Sequence, residues 1–149
     1  VLSEFGGLPH RCETVRVRNE VTYINDSKGT NVGATLAALQ GLGSSATKNI
    51  LLIAGGEGKG ADFRALANSV NDFVRTTYLF GKDAERIAEV LPADAEVKRF
   101  ETLDQIVASI GQDAKEGEIV LFSPACASLD MYKNYEVRGE HFARLVNEL

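Results

Sequence analysis

Three short stretches of this chain concentrate the residue types that hold small acidic molecules. They are Ile24-Asn25-Asp26-Ser27-Lys28-Gly29-Thr30-Asn31, Gly55-Gly56-Glu57-Gly58-Lys59-Gly60-Ala61-Asp62-Phe63 and Ser123-Pro124-Ala125-Cys126-Ala127-Ser128-Leu129-Asp130. Between them they carry two ammonium groups (Lys28, Lys59), the hydroxyls of Thr30, Ser123 and Ser128, the carboxylate of Asp26, and small residues that let backbone N–H groups approach a ligand. Cations and amide donors at helix starts suit a carboxylate or phosphate ligand. On a chain of net charge −5 such a focus of positive charge is more informative than on a basic one. Plainer readings stand beside these. Lys28 and Lys59 are also compatible with solvated lysines, although a Lys at a helix N-terminus opposes the macrodipole. Thr30 or Asn31 suits an N-cap, Asp26 a turn, and Ser128 or Asp130 the cap of a short helix.

The glycine stretch imitates two nucleotide motifs. A Walker A loop would need Gly where Ile53 stands, and a Ser or Thr where Gly60 stands, so that reading fails. Gly56-Glu57-Gly58-Lys59-Gly60-Ala61 fits the looser G-x-G-x-x-A form, with Asp83 at an approximately suitable distance for a ribose. Against a dinucleotide site, Glu57 would lie beside the pyrophosphate, and the preceding strand would be the third in the chain.

These loops need elements to position them. Strand-length apolar runs alternate with segments of helical period, the pattern of an α/β fold. Strands are expected at 14–17, 21–25, 49–54, 76–80, 97–100 and 118–122, the first two joined by a tight turn at 18–20. Helices are expected at 31–42, 63–73, 83–91, 103–114 and 137–149. Right-handed crossovers make a Rossmann-like, doubly wound, mostly parallel sheet with one antiparallel strand the economical topology. In such a sheet ligands sit beyond the carboxyl ends of the strands, which is where all three loops fall.

At 149 residues, 44% apolar and 25% charged, the chain reads as one globular domain over residues 1–149. The charge balance disfavours a nucleic-acid partner, and no run approaches the roughly 18 apolar residues of a membrane helix. No basic segment followed by an apolar one opens the chain, so a cytoplasmic location and no membrane partner are expected. Cys12 and Cys126 belong to no metal-spaced cluster and are expected to be reduced thiols; His10 and His141 are expected at the surface.

In combination, the three loops, together with Phe5 to Arg11, Lys133 to Gly139 and Phe142 to Leu145, resemble the C-terminal domain of the Mur ligases. These are the amide ligases of peptidoglycan synthesis, and the Ser123 to Asp130 run is similar to that of their D-glutamate-adding branch. The resemblance implies that a separate central domain uses ATP and Mg2+ to activate the carboxylate of UDP-N-acetylmuramoyl-L-alanine as an acyl phosphate, which the amine of D-glutamate attacks. It implies that Lys28, Thr30, Lys59, Ser128, Leu129 and Tyr135 surround D-glutamate. It further implies that Arg11 and Asp26 reach the nucleotide, Asp26 at the ribose hydroxyls. No general base or metal ligand is expected on this domain, whose contribution would be orientation through domain closure. Tyr135 stands where some relatives carry Phe, and Gly29 where Ala is familiar, both expected to be mild changes. With no Walker A loop here, the chain is expected to be a monomeric C-terminal domain, without ligase activity alone. The alternatives are a folylpolyglutamate synthase-type or other Mur ligase domain, and a non-catalytic module for an acidic metabolite or nucleotide.

Overall fold

A computed structural model of the chain describes residues 10–43, 47–127 and 131–149. Six strands form one sheet in the order β1-β2-β6-β3-β4-β5. They are β1 (Glu13–Arg18), β2 (Val21–Asn25), β3 (Ile50–Gly55), β4 (Val74–Phe80), β5 (Glu96–Arg99) and β6 (Ile119–Phe122). The helices among the described residues are α1 (Val32–Leu42), α2 (Leu66–Phe73), α3 (Ala84–Val90), α4 (Leu103–Asp113) and α5 (Tyr135–Asn147). β1 pairs antiparallel with β2, and every other pairing is parallel, as the sequence pattern predicts.

The strands at the centre of the sheet are apolar at consecutive positions because both faces are covered. Ile50, Leu52 and Ala54 of β3, with Leu121 of β6, join Leu39, Leu66, Val70 and Ile87 of α1, α2 and α3 in one core. The alternate residues Leu51, Ile53, Val120 and Phe122 join Ile106, Val107 and Ile110 of α4 and Phe142 and Val146 of α5 in a second. Side chains of period two on strands meet stripes of period 3.6 on helices, and the sheet is doubly wound.

Several boundaries differ from the expected ones for local reasons. The hairpin turn narrows to Asn19 and Glu20, with φ of 52° and 62°, the left-handed pair of a two-residue hairpin. Asn31 is the cap of α1, its side chain accepting from Ala34 N–H at 2.8 Å, so the helix begins one residue later. α2 starts at Leu66 instead of Phe63 because Asp62 accepts from Arg64 N–H at 3.0 Å and holds 62–64 in a turn. Val74 and Arg75 extend β4 straight out of α2. α5 begins at Tyr135 under the Asn134 cap, two residues before the expected start, which puts Tyr135 in its first turn. The cap suggested for Ser128 or Asp130 lies outside the described residues.

Candidate substrate site at the carboxyl edge of the sheet

The strand order decides where the chemistry gathers. β2, β6 and β3 are parallel neighbours, so the loops that leave their carboxyl ends lie side by side, with the β6 loop in the middle. Backbone hydrogen bonds stitch them together. Ala125 N–H donates to Gly29 O at 2.9 Å on one side, and Gly55 N–H to Pro124 O at 3.0 Å on the other. Glu57 and Ala127 exchange N–H groups and carbonyls at 3.2 and 3.0 Å, an antiparallel bridge between the glycine loop and the β6 loop. Lys28 and Lys59, both exposed, stand on loops either side of this strip.

Asp26 is nearly inaccessible at 3% exposure, and both its carboxylate oxygens are engaged. Oδ1 accepts from Cys12 N–H at 3.1 Å and Oδ2 from the Ser123 hydroxyl at 2.7 Å. Thr35 of α1 lies 2.9 Å from the same Ser123 oxygen. Burial raises the Asp26 pKa, and these hydrogen bonds pull against that rise. Burial also pushes the Cys12 thiol up to about 12, with Asp26 adding to the effect, so it is a poor nucleophile. Arg11, Cys12, Asp26, Lys28 and Gly29 line one wall of a cavity of about 390 Å³, and the small and apolar residues Ala34, Ala37, Ala38, Gly41 and Leu42 of α1 line the other. The expected pair Arg11 and Asp26 therefore share one cavity, which Lys28 also reaches. Gly29 is less permissive than expected: a Cβ there would stand 2.6 Å from Ser123 Oγ and 2.8 Å from Asp26 Oδ2.

Tyr135 reaches the same edge from α5. The Lys28 ammonium lies 5.9 Å from its ring centroid, and the His10 ring meets it edge-on at 6.1 Å. Ser27 donates its hydroxyl to Tyr135 O at 2.7 Å. Behind them Arg138, 1% exposed, donates from Nε to Ser27 Oγ at 3.0 Å and from Nη2 to Ser27 O at 2.7 Å. Its Nη1 donates to Cys126 O at 3.0 Å. One guanidinium thus ties α5 to both the β2 and the β6 loops. Sequence reading missed Arg138 and Ser27. The available signal was Arg138 four residues before Phe142 on the apolar stripe of α5, a charged residue at a core position. His10 and His141, expected at the surface, are half-buried and partnered: His10 Nδ1 lies 3.0 Å from Asn25 Nδ2, and Gly139 leaves the space that His10 occupies. Thr30 lies at the start of α1, its capping role taken by Asn31. Ser128 and Leu129 lie outside the described residues.

The glycine loop is not a dinucleotide cradle. Gly55, Gly56 and Glu57 N–H groups go to Pro124, Phe80 and Ala127 carbonyls. Asp83, which that reading would place on a ribose, accepts from Gly58 N–H at 2.6 Å and so closes the loop on itself. Gly55, at φ 135°, has no room for a Cβ against the Phe80 carbonyl, so its glycine serves the close approach of β3 to β4. The loop presents Lys59, whose φ of 51° places a side-chain-bearing residue in the left-handed region. Among the described residues, no group of three His, Cys, Asp or Glu side chains is placed to hold a metal ion. No helix described is long and apolar enough to cross a membrane.

Residues 10–126 match the family described as Mur ligase, glutamate ligase domain. The chain is 53% identical over 148 residues to the UDP-N-acetylmuramoylalanine--D-glutamate ligase of Pseudomonas putida, covering 99% of this chain and 33% of that protein. It spans about a third of the length of the curated relatives it matches. Its fold is shared with a bifunctional folylpolyglutamate synthase/dihydrofolate synthase from Yersinia pestis, at TM-score 0.64 and 18% identity over 93% of this chain and 31% of that one. A MurF ligase from Thermotoga maritima in complex with ADP shares it at TM-score 0.62 and 17% identity, over 95% of this chain and 31% of that one. With the family match covering most of its length and the three loops joined at one edge, this chain belongs to the Mur ligase family, as its glutamate ligase domain.

Proposed function

We propose that this chain is the amino-acid-presenting domain of an ATP-dependent ligase that joins D-glutamate to UDP-N-acetylmuramoyl-L-alanine in peptidoglycan synthesis. The observation that carries the reading is the carboxyl-edge strip on which Lys28 and Lys59 flank the β6 loop. D-Glutamate has two carboxylates, and two ammonium groups beside hydroxyl and amide donors are their complement. The relatives of about 50% identity that carry the D-glutamate ligase name align over nearly all of this chain, which favours this amino acid over others.

In this reading Lys28, Thr30, Lys59 and Tyr135, with Ser128 and Leu129, surround D-glutamate. The same reading puts an adenine nucleotide in the cavity beside α1, with an apolar wall for the base, Arg11 and Lys28 for phosphates, and the lone pairs that the Asp26 carboxylate keeps beyond its bonds to Cys12 and Ser123 for ribose hydroxyls. The complex of the Thermotoga ligase with ADP is in keeping with nucleotide use by the parent protein. The Mg2+ that accompanies ATP would be held by the phosphates and by another part of the parent protein. The chain's work is orientation. It holds the amine so that its lone pair meets the carbonyl carbon of the acyl phosphate; the C–N bond forms, the C–O bond to phosphate breaks, and the amine releases a proton. Near-attack positioning of this kind is worth ~7–11 kcal/mol of barrier. Cytoplasmic location follows from the nucleotide-linked substrates that this reading assigns.

The test is phosphate release by the full-length parent with ATP, UDP-N-acetylmuramoyl-L-alanine and a panel of amino acids. Release with D-glutamate alone is expected, and none from the 149-residue chain by itself. Release with a different amino acid would move the specificity assignment, and release with none would reject the ligase reading.

A further inference from the structure

A second polar chain lies beside the proposed site and is used by nothing described above. Tyr132, in the segment leading into α5, has its hydroxyl 2.7 Å from His141 Nδ1 on the second turn of that helix. His141 Nε2 lies 3.4 Å from Asp104 Oδ1, in the first turn of α4. The Tyr132 and His141 rings are also in contact, with centroids 5.6 Å apart and planes at 52°. Tyr132 packs on the core formed by α4, α5 and the sheet. Burial pushes its hydroxyl up to about 12, so it stays protonated within hydrogen-bond distance of Nδ1, while Nε2 on the other side of the ring faces the Asp104 carboxylate.

This bond spans nine residues and encloses the N-cap of α5. Between its two ends stand Asn134, which caps the helix, and Tyr135, whose carbonyl is held by Ser27 and whose ring faces Lys28. The chain entering α5 is therefore held at two places: at Tyr132, bonded to His141, which in turn faces Asp104 of α4, and at Tyr135 itself, whose carbonyl Ser27 holds. From this geometry we infer that His141, with Tyr132 and Asp104, is a positioning residue that holds the Tyr135 ring against Lys28 and so sets the affinity of the site for its acidic amino acid. The amino-acid consequence rests on the function proposed above; the positioning itself does not.

Two measurements separate the two. In the 149-residue chain, NMR of the Tyr135 ring and the Lys28 side chain is compared between the unsubstituted protein, Tyr132→Phe, His141→Ala and His141→Asn. Tyr132→Phe removes one hydroxyl and keeps the ring on the core. His141→Asn keeps a hydrogen-bonding group near the Nδ1 position. Tyr135 and Lys28 resonances are expected to shift in Tyr132→Phe and His141→Ala, and to return toward the original in His141→Asn. In the full-length parent the first two variants are expected to raise the D-glutamate KM three- to tenfold, with kcat and the ATP KM within twofold, and the double variant to be no worse than either single one. Unmoved Tyr135 resonances would overturn the inference. So would an unchanged D-glutamate KM in an active parent, or a fall in kcat and rise in all KM values that tracks lost thermal stability. A parent with no D-glutamate-dependent turnover would reject the proposed function while the NMR comparison still decides the positioning.

Discussion

Lys28 and Lys59 carry the same charge yet sit in different surroundings, and under the proposed function that difference separates their roles. Lys28 lines the cavity beside α1 and faces Tyr135, whereas Lys59 stands on the glycine loop at a left-handed φ that costs about 1 kcal/mol or more for a residue with a Cβ. Losing one charge-assisted contact costs about 1.5–3 kcal/mol. Lys59→Ala is thus expected to raise the D-glutamate KM of the parent ligase roughly tenfold or more, leaving the ATP KM within twofold. Lys28→Ala is expected to raise both. Steady-state kinetics with each substrate varied in turn would read this, and an ATP KM that rose with Lys59→Ala would remove that residue from the amino-acid site. Arg138 acts at the same scale through structure. Arg138→Met would leave the Ser27 and Cys126 carbonyls without this donor in a buried setting and is expected to cost on the order of 3 kcal/mol, read by chemical denaturation of this chain.

At the scale of elements, α5 is where a cap and a residue of the proposed site coincide. Asn134 accepts from Val137 N–H at 2.9 Å, and Tyr135 follows immediately. Asn134→Ala is expected to lower stability by about 1 kcal/mol through the lost cap. By fraying the first turn it should also weaken D-glutamate binding more than ATP binding. Equal effects on both substrates would show that the turn serves general stability alone. Element types were legible from period and composition, while their ends were set by side chains whose partners are local but not predictable in kind. Asp62 bonds its own turn and delays α2, and Asp83, next to α3, gives its carboxylate to the Gly58 N–H of the glycine loop and to Arg86 instead of capping the helix backbone. Val74 both ends α2, its N–H donating to Val70 O, and begins β4 in an extended conformation.

Across the whole molecule, the buried Asp26 makes a distinct pH signature. Its folded pKa is raised above the ordinary value of 3.8, so its contribution to stability is fully present below that value. It is lost as pH rises through the folded pKa, where the folded state must hold a charge that the unfolded chain holds in water. Asp62 and Asp113, both shifted down, work in the opposite direction as the pH falls, so the overall profile does not isolate Asp26. The difference between the original protein and Asp26→Asn does. This variant is expected to match or exceed the original in thermal midpoint near pH 7 and to lose that advantage below the ordinary carboxylate range, while nucleotide-dependent turnover in the parent falls. A variant less stable at pH 7 than at acid pH, relative to the original, would contradict the burial argument.

Arg11 is a candidate through the family resemblance; the sequence by itself determined the α/β class, the hairpin that opens the described chain, the three polar loops, and the Lys28, Lys59 and Asp26 candidates on them. These follow from short-range pattern: strand runs, helix stripes, and polar loops where strands give way to helices. The tertiary structure alone decided that β6 inserts between β2 and β3, because strand order depends on contacts about a hundred residues apart that leave no local trace. That insertion brings Ser123 to Asp26 and Ala127 to Glu57, and so turns three separated loops into one edge. It also spends the backbone N–H groups of the glycine loop, which is why a motif that looked suited to phosphates presents a lysine instead.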